Sequence, residues 1–198
     1  MRLALGNKKR PILPVSKQDW EAQYKSGYWM YLNDLHEAPR YAVLGVLLQS
    51  LGANGSIVDI GCGTGILLRH LRMVGYNRYL GIDISEHAIR EADQFRDSKT
   101  EFVAANVEHF VPVGPFNSAV FNECLYYLSD PLAVVDRYTK ALQCNGIFIT
   151  SVFKSSVRKM MMVRKLERLY RIIERVRIKN DRGEWLCNVF SVADKRST

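Results

Sequence analysis

Several things are missing from this sequence, and each absence removes a class of protein. No apolar run approaches the ~20 residues needed to cross a bilayer, and no apolar leader follows Met1. No membrane span is therefore expected, and the chain is expected in the cytoplasm. Four cysteines (Cys62, Cys124, Cys144 and Cys187) stand far apart with no C-x-x-C pair. That spacing suggests neither a disulfide framework nor a zinc site. No carboxylate cluster of the kind that holds magnesium is evident, so no metal is expected. The composition is otherwise ordinary: 198 residues, 47% hydrophobic and 24% charged, enough for one domain with a full core.

The charge is uneven. The net charge is +8, and the stretch Lys154–Lys179 alone carries ten Lys or Arg against Glu167 and Glu174. The rest of the chain is close to neutral. Residues 1–14 form a basic arm (Arg2, Lys8, Lys9, Arg10) that ends in Pro11 and Pro14, and residues 15–198 read as a single domain.

What the sequence does contain centres on Ser56-Ile57-Val58-Asp59-Ile60-Gly61-Cys62-Gly63-Thr64-Gly65. A β-branched apolar run reads as a buried strand. Three glycines at alternate positions then lead into the helical pattern Ile66–Arg72. Glycine tolerates positive φ and has no Cβ, so a ligand can lie against bare backbone there. The helix beyond offers unpaired N–H groups and the positive end of its dipole. A second buried strand, Tyr79–Ile84, ends with Asp83, 18 positions after Gly65. In a nucleotide-binding α/β unit an acid at that place accepts hydrogen bonds from both ribose hydroxyls. The glycine spacing is not that of the dinucleotide fingerprint, and Asp59 would sit badly beside a pyrophosphate. A cationic nucleoside bearing an amino acid fits the loop better.

Val58-Asp59-Ile60-Gly61-Cys62-Gly63-Thr64-Gly65 together with Gly81-Ile82-Asp83-Ile84-Ser85 resembles the class I S-adenosylmethionine-dependent methyltransferases. The order of elements keeps this resemblance from about Trp20 to about Val192. It implies an α/β, Rossmann-like seven-stranded sheet, with five parallel strands, a terminal antiparallel hairpin and helices on both faces. It also implies S-adenosyl-L-methionine as cofactor, with Asp59, Gly61, Cys62, Gly63, Gly65, Asp83 and Ile84 around it. Asn106, where the family usually has Asp, is implied as the adenine contact, with Val107 beside it. Tyr24 and Trp29, within an aromatic-rich stretch from Trp20 to Tyr31, are implied as a lid; packing onto the core is the alternative reading. Arg40, on an amphipathic helix expected over Glu37–Leu51, would reach the methionine carboxylate or remain solvated. Asn122 is placed at the cofactor end of the fourth strand.

The remaining elements follow in order. Ser85 is expected to cap a helix running to about Phe95, Glu101–Ala105 is a third strand and Phe116–Cys124 a fourth. Asp130-Pro131 starts a helix, and Gly146–Val152 is a fifth strand. A basic helix is expected over Ser155–Ile173. Arg175–Lys179 and Trp185–Phe190 are expected to pair as a hairpin through Asn180-Asp181-Arg182-Gly183. Ligands of open α/β sheets bind at the carboxyl ends of strands, which brings Asn122–Leu128 to the reacting group. The segment lacks the Asn/Asp-Pro-Pro-Tyr/Phe sequence of enzymes that methylate base amines, and it resembles the small-molecule branch. His109, Glu123 and Tyr126 are the candidate general bases. The expected acceptor is a small molecule methylated on oxygen or nitrogen, leaning to a sugar or glycan. The basic helix reads as a solvated face or as a surface for a phosphorylated partner. An RNA acceptor, favoured by a pI near 9.4, and a non-catalytic cofactor-binding protein are the alternatives. The sequence does not fix the oligomeric state.

Overall fold

The computed structural model describes residues 16–52 and 55–194; the basic arm of residues 1–14 lies outside them. One seven-stranded sheet organises the chain. Its strands are β1 (Ser56–Ile60), β2 (Arg78–Asp83), β3 (Thr100–Ala104), β4 (Phe116–Asn122), β5 (Leu142–Phe153), β6 (Arg171–Asn180) and β7 (Gly183–Ser191). Their spatial order is β3-β2-β1-β4-β5-β7-β6. Strands β1 to β5 are parallel, and β7 runs antiparallel between β5 and β6. This is the sheet implied by the family resemblance.

The helices are α1 (Lys17–Lys25), α2 (Ala38–Leu51), α3 (Ile66–Val74), α4 (Glu86–Asp93), α5 (Pro131–Thr139) and α6 (Val157–Leu169). Burial of alternate strand residues on opposite faces gives two cores. Leu44, Leu48, Leu67 and Leu71 of α2 and α3 pack on Ile57, Tyr79, Val120 and Ile149. Val134, Val135, Val163 and Leu166 of α5 and α6 pack on Val58, Ile60, Phe121 and Phe148. Strands covered on both sides need continuous apolar runs, and β1 and β2 have them. Side-chain caps set the helix starts: Ser85 Oγ accepts from the Ala88 N–H at 3.1 Å, and Asp130 Oδ1 accepts from the Ala133 N–H at 3.1 Å.

Some boundaries differ from the expectation. Helix α6 stops at Leu169 rather than near Ile173, because Tyr170 is already extended at φ −130°, ψ 147°. Strand β6 starts at Arg171, four residues early, and pairs along β7 from Arg171↔Ser191 to Asn180↔Gly183. A register shift between Ile172 and Glu174 breaks the two-residue alternation. That shift leaves Ile172 and Ile173 looking like a continuation of the helix. Strand β5 starts at Leu142, ahead of the expected Gly146, and Leu51, the last residue of α2, is 41% exposed.

Consecutive β1 and β2 are neighbours on one side, whereas β4 lies on the other side of β1. The chain therefore diverges at the carboxyl ends of β1 and β4, and this divergence opens a crevice. Gly81 beside it has no room for a side chain: an added Cβ would stand 2.6 Å from Phe102 Cδ1 and 3.0 Å from Cys62 Sγ. Gly81→Ala is expected to cost about 1–3 kcal/mol of stability through overpacking. Thermal or denaturant unfolding would read this as a lowered midpoint.

Candidate active site

The crevice is a cavity of about 690 Å³ lined by residues from nearly every loop at the carboxyl edge of the sheet. Its floor is the turn after β1. The Gly61 and Cys62 N–H groups both donate to Ile82 O, at 2.8 and 3.0 Å, and fold the turn onto the end of β2. Gly61 has φ +70° and Gly63 φ +55°. A Cβ on Gly61 would meet Cys124 Cβ at 2.8 Å, and one on Gly63 would meet the Tyr24 hydroxyl at 3.0 Å. Backbone alone fits there.

Asp83 holds that turn in place. Its carboxylate accepts from the Gly63 N–H at 2.9 Å and the Ser85 N–H at 2.9 Å. Burial pushes its pKa up to about 6, against the lowering effect of the backbone donors. Asp59, one strand away and 1% exposed, accepts the Tyr79 hydroxyl at 2.5 Å. Burial pushes its pKa up to about 7. Its second oxygen, Oδ1, is buried and has no hydrogen-bond partner among the described residues. An unmet carboxylate oxygen facing a cavity is costly unless a donor or cation fills the space.

Aromatic side chains roof the cavity. Trp20 stacks on Trp29 with ring centroids 5.6 Å apart and meets Tyr127 edge-on at 5.0 Å. Glu21 anchors this roof to the sheet by capping α4, accepting from the Glu86 N–H at 2.7 Å and Ser85 Oγ at 3.2 Å. Tyr24 and Trp29 both line the cavity, and of the two it is Tyr24 that covers the glycine turn.

Another part of the wall is built around Arg40, which is 1% exposed and so not the solvated arginine of the alternative reading. It donates to Glu37 Oε2 at 2.9 Å and to Asn122 Oδ1 at the end of β4. Its guanidinium lies 4.3 Å from the Tyr41 ring centroid. Burial alone would lower its pKa, but Tyr41, Glu123 and Glu37 outweigh that and raise it. Next to Asn122, Glu123 is the one non-glycine with positive φ (58°) among the described residues. Such a conformation costs about 1–3 kcal/mol and persists where the surroundings enforce it. Here the Glu123 N–H donates to Ser151 O at 3.0 Å. Its side chain accepts from Ser151 Oγ at 3.1 Å and from the Tyr126 hydroxyl at 2.6 Å.

Most of the expected site residues thus come to one cavity: Tyr24, Trp29, Arg40, Asp59, Gly61, Cys62, Gly63, Asp83, Ile84, Asn106, Val107, Asn122, Glu123 and Tyr126. Two expected residues do not line it. His109 is exposed and outside the lining, on a turn in which its own N–H and that of Phe110 donate to Asn106 O. Gly65 sits behind the turn at φ +75°, starting α3 against Ala92. Asn106 lies at the rim, where its Oδ1 accepts from the Glu108 N–H at 2.9 Å and shapes the loop. Glu37, Trp20, Tyr127 and Arg182 also line the cavity without having been singled out in the sequence. The i,i+3 spacing of Glu37 and Arg40 was the available signal for the first of these. No group of three or more His, Cys, Asp or Glu side chains is placed to hold a metal ion among the described residues.

Comparison with known proteins agrees with this geometry. Residues 33–192 match a family described as a methyltransferase domain, and the chain belongs to that family. A segment is 35% identical over 89 residues to ribosomal protein L11 methyltransferase from Burkholderia ambifaria. That match takes in 45% of this chain and 28% of the relative, so the chain spans well under half the length of the curated relatives it matches. Among solved structures, the N-methyltransferase NodS from Bradyrhizobium japonicum WM9, with S-adenosyl-L-homocysteine, superposes with a TM-score of 0.67 at 21% identity, over 82% of this chain and 90% of that one. The 1,6-didemethyltoxoflavin-N1-methyltransferase from Burkholderia thailandensis gives 0.72 at 18%, over 88% and 86%. Magnesium protoporphyrin IX methyltransferase from Synechocystis PCC 6803 gives 0.70 at 13%, over 88% and 96%. At these identities the likeness is one of fold.

The two buried acids make stability depend on pH. Each has a folded pKa raised above its unfolded value, so the folded state holds protons that the unfolded chain has already released. Stability of the unliganded protein is expected to fall as pH rises from about 4 to 7 and to level off above. The Asp59 contribution has a ceiling on the order of 4 kcal/mol. Thermal melts across that range read the slope, and Asp59→Asn should flatten it.

Proposed function

We propose that this chain transfers the methyl group of S-adenosylmethionine to a nitrogen or oxygen of a small-molecule acceptor. The observation that carries the reading is one cavity lined both by two buried acids, Asp59 and Asp83, and by Glu123 and Tyr126, whose carboxylate and hydroxyl are hydrogen-bonded. A volume of about 690 Å³ is within the usual range for a small-molecule site.

The residues present fit the cofactor. Asp83 keeps lone pairs for two ribose hydroxyls after serving Gly63 and Ser85. The unmet Asp59 oxygen beside bare glycine backbone suits the ammonium side of the amino-acid tail. Arg40, already engaged by Glu37 and Asn122, supplies positive potential to the tail carboxylate more than a free hand. Ile84, Val107 and the rim residue Asn106 are placed for the adenine. When bound, S-adenosylmethionine supplies a sulfonium methyl already activated for in-line displacement.

The protein's own work is positioning and proton removal. Glu123 is the base in this reading: its backbone strain fixes the carboxylate in the cavity wall, and the Tyr126 and Ser151 hydroxyls fix its orientation. It would take the proton that an acceptor hydroxyl or amine gives up. His109 has no part in this. The stacked walls of Trp20, Trp29 and Tyr127 suit a flat ring, and the solved neighbours named above lend no support to a saccharide acceptor. The basic stretch is also less free for RNA than its charge suggests. Lys154, Arg171, Arg175 and Arg177 are paired with Glu184, Asp194, Glu167 and Glu184.

Calorimetry with S-adenosylhomocysteine tests the cofactor half. Asp83→Ala should weaken binding at least about tenfold, the scale of one hydrogen bond to a charged group. Absence of binding to the unaltered protein would overturn the reading. Release of labelled methyl groups to small-molecule extracts tests the other half. Glu123→Gln should lower turnover by about 10²–10⁴-fold with S-adenosylhomocysteine affinity retained, while His109→Ala leaves turnover unchanged.

A further inference from the structure

A second cavity, of about 410 Å³, opens between the segment around Leu128–Leu132 and the first turns of α6. It shares Tyr126, Leu128, Ser129 and Arg158 with the first cavity, so the two meet along one wall and Tyr126 stands between them. Most of its lining is apolar: Leu128, Pro131, Leu132, Met161 and Met162. The charged residues are Arg158, Lys159 and Lys165 against a single acid, Asp130, whose Oδ1 is already occupied in capping α5.

The three cations differ in their surroundings. Lys159 is 9% exposed, and its ammonium lies 3.3 Å from the centroid of the Tyr126 ring. Arg158 and Lys165 are exposed and make no ion pair or hydrogen bond with any described residue. They are seven residues apart, which on a helix puts them on the same face about 10 Å from one another, with Met161 and Met162 between. The α6 face turned to the cavity therefore reads cation, thioether, thioether, cation. Elsewhere in the basic stretch, Lys154, Arg171, Arg175 and Arg177 are matched by acids, whereas Arg158 and Lys165, like Arg164, Arg168 and Lys179, form no ion pair among the described residues. At this cavity three cations face the one lining acid, Asp130.

An apolar trough between free cations is matched by a ligand with an apolar body and a negative group. We propose that the second cavity is the distal half of the acceptor site, and that the acceptor is an amphipathic anion. Its apolar body lies on Leu128, Leu132, Met161 and Met162, and its carboxylate or phosphate is held by one of the two cations that flank that trough, Arg158 or Lys165. The reacting nitrogen or oxygen then lies on the near side of Tyr126, beside Glu123. The inference rests on the methyltransferase reading of the first cavity and narrows its acceptor class. Arginine is the better of the two cations for a planar or tetrahedral anion, since its fork can donate twice.

The test uses thermal shift and calorimetry on the protein saturated with S-adenosylhomocysteine. The probes are 4-phenylbutyrate, phenyl phosphate, the uncharged 4-phenylbutanol and inorganic phosphate. Either or both of the first two should bind, and the preference between them tells carboxylate from phosphate. The uncharged probe and inorganic phosphate should bind at least tenfold more weakly than the better anionic probe. Arg158→Gln with Lys165→Gln should lose that binding at least tenfold while keeping the melting midpoint and the affinity for S-adenosylhomocysteine. Both side chains are exposed, so folding is not at stake. Equal binding of 4-phenylbutanol, equal binding of inorganic phosphate, no binding of either anionic probe, or an unaffected double variant each overturns the proposal. So does tighter binding of a single-stranded RNA oligonucleotide that the double variant also loses. Failure of S-adenosylhomocysteine to bind overturns the methyltransferase reading instead, and the probes are then compared on the protein alone.

Discussion

Burial of carboxylate charge is the constraint on which the rest of this site depends. Asp59 and Asp83 stand at the carboxyl ends of neighbouring parallel strands, on the same face, and both are nearly closed off from solvent. Two acids in that position are tolerable only if donors are brought to them. Tyr79 and the amides of Gly63 and Ser85 supply part of what is needed. One Asp59 oxygen remains without a donor among the described residues, which is the deficit the proposed cationic ligand would meet. The glycine turn belongs to the same arrangement, because the Gly63 amide reaches Asp83 only in a left-handed conformation that leaves the floor without a Cβ.

Arg40 is accommodated by the converse device. This buried cation is surrounded by Glu37, Asn122 and the Tyr41 ring, and it carries the field of Glu123 as well. Glu123 is forced into a left-handed backbone by its bond to Ser151 and is steadied by two hydroxyls. The cavity therefore contains both an acid oxygen lacking a partner, on Asp59, and an acid held by two hydroxyls, Glu123.

The elements that could be read from the sequence were those governed by neighbours close in the chain. Val58–Gly65 and Gly81–Ser85 carry their strand, turn and acid within a few residues, and the fold follows from them. Arg40 could not be placed in the same way. Its burial depends on Asn122, 82 positions away, and an isolated arginine on an amphipathic helix looks like a solvated one. His109 lies outside the cavity lining for the same reason, since where a turn residue ends up is set by tertiary contacts. The start of β6 was obscured by a bulge that makes two strand isoleucines look helical. Within the basic stretch, the sequence gives charge but not pairing. Only the structure separates the cations matched by Glu167, Glu184 and Asp194 from those that are not, Arg158 and Lys165 among them.

The attachment of the aromatic roof has a mechanical consequence. Glu21 sits on the roof helix, yet its carboxylate completes the first turn of α4, immediately after the acid proposed to hold the ribose. A displacement of α1 would take this acceptor from the Glu86 amide, while Ser85 Oγ would still cap α4 through the Ala88 N–H. The position of the roof and the order of the first turn of α4 are thus mechanically linked.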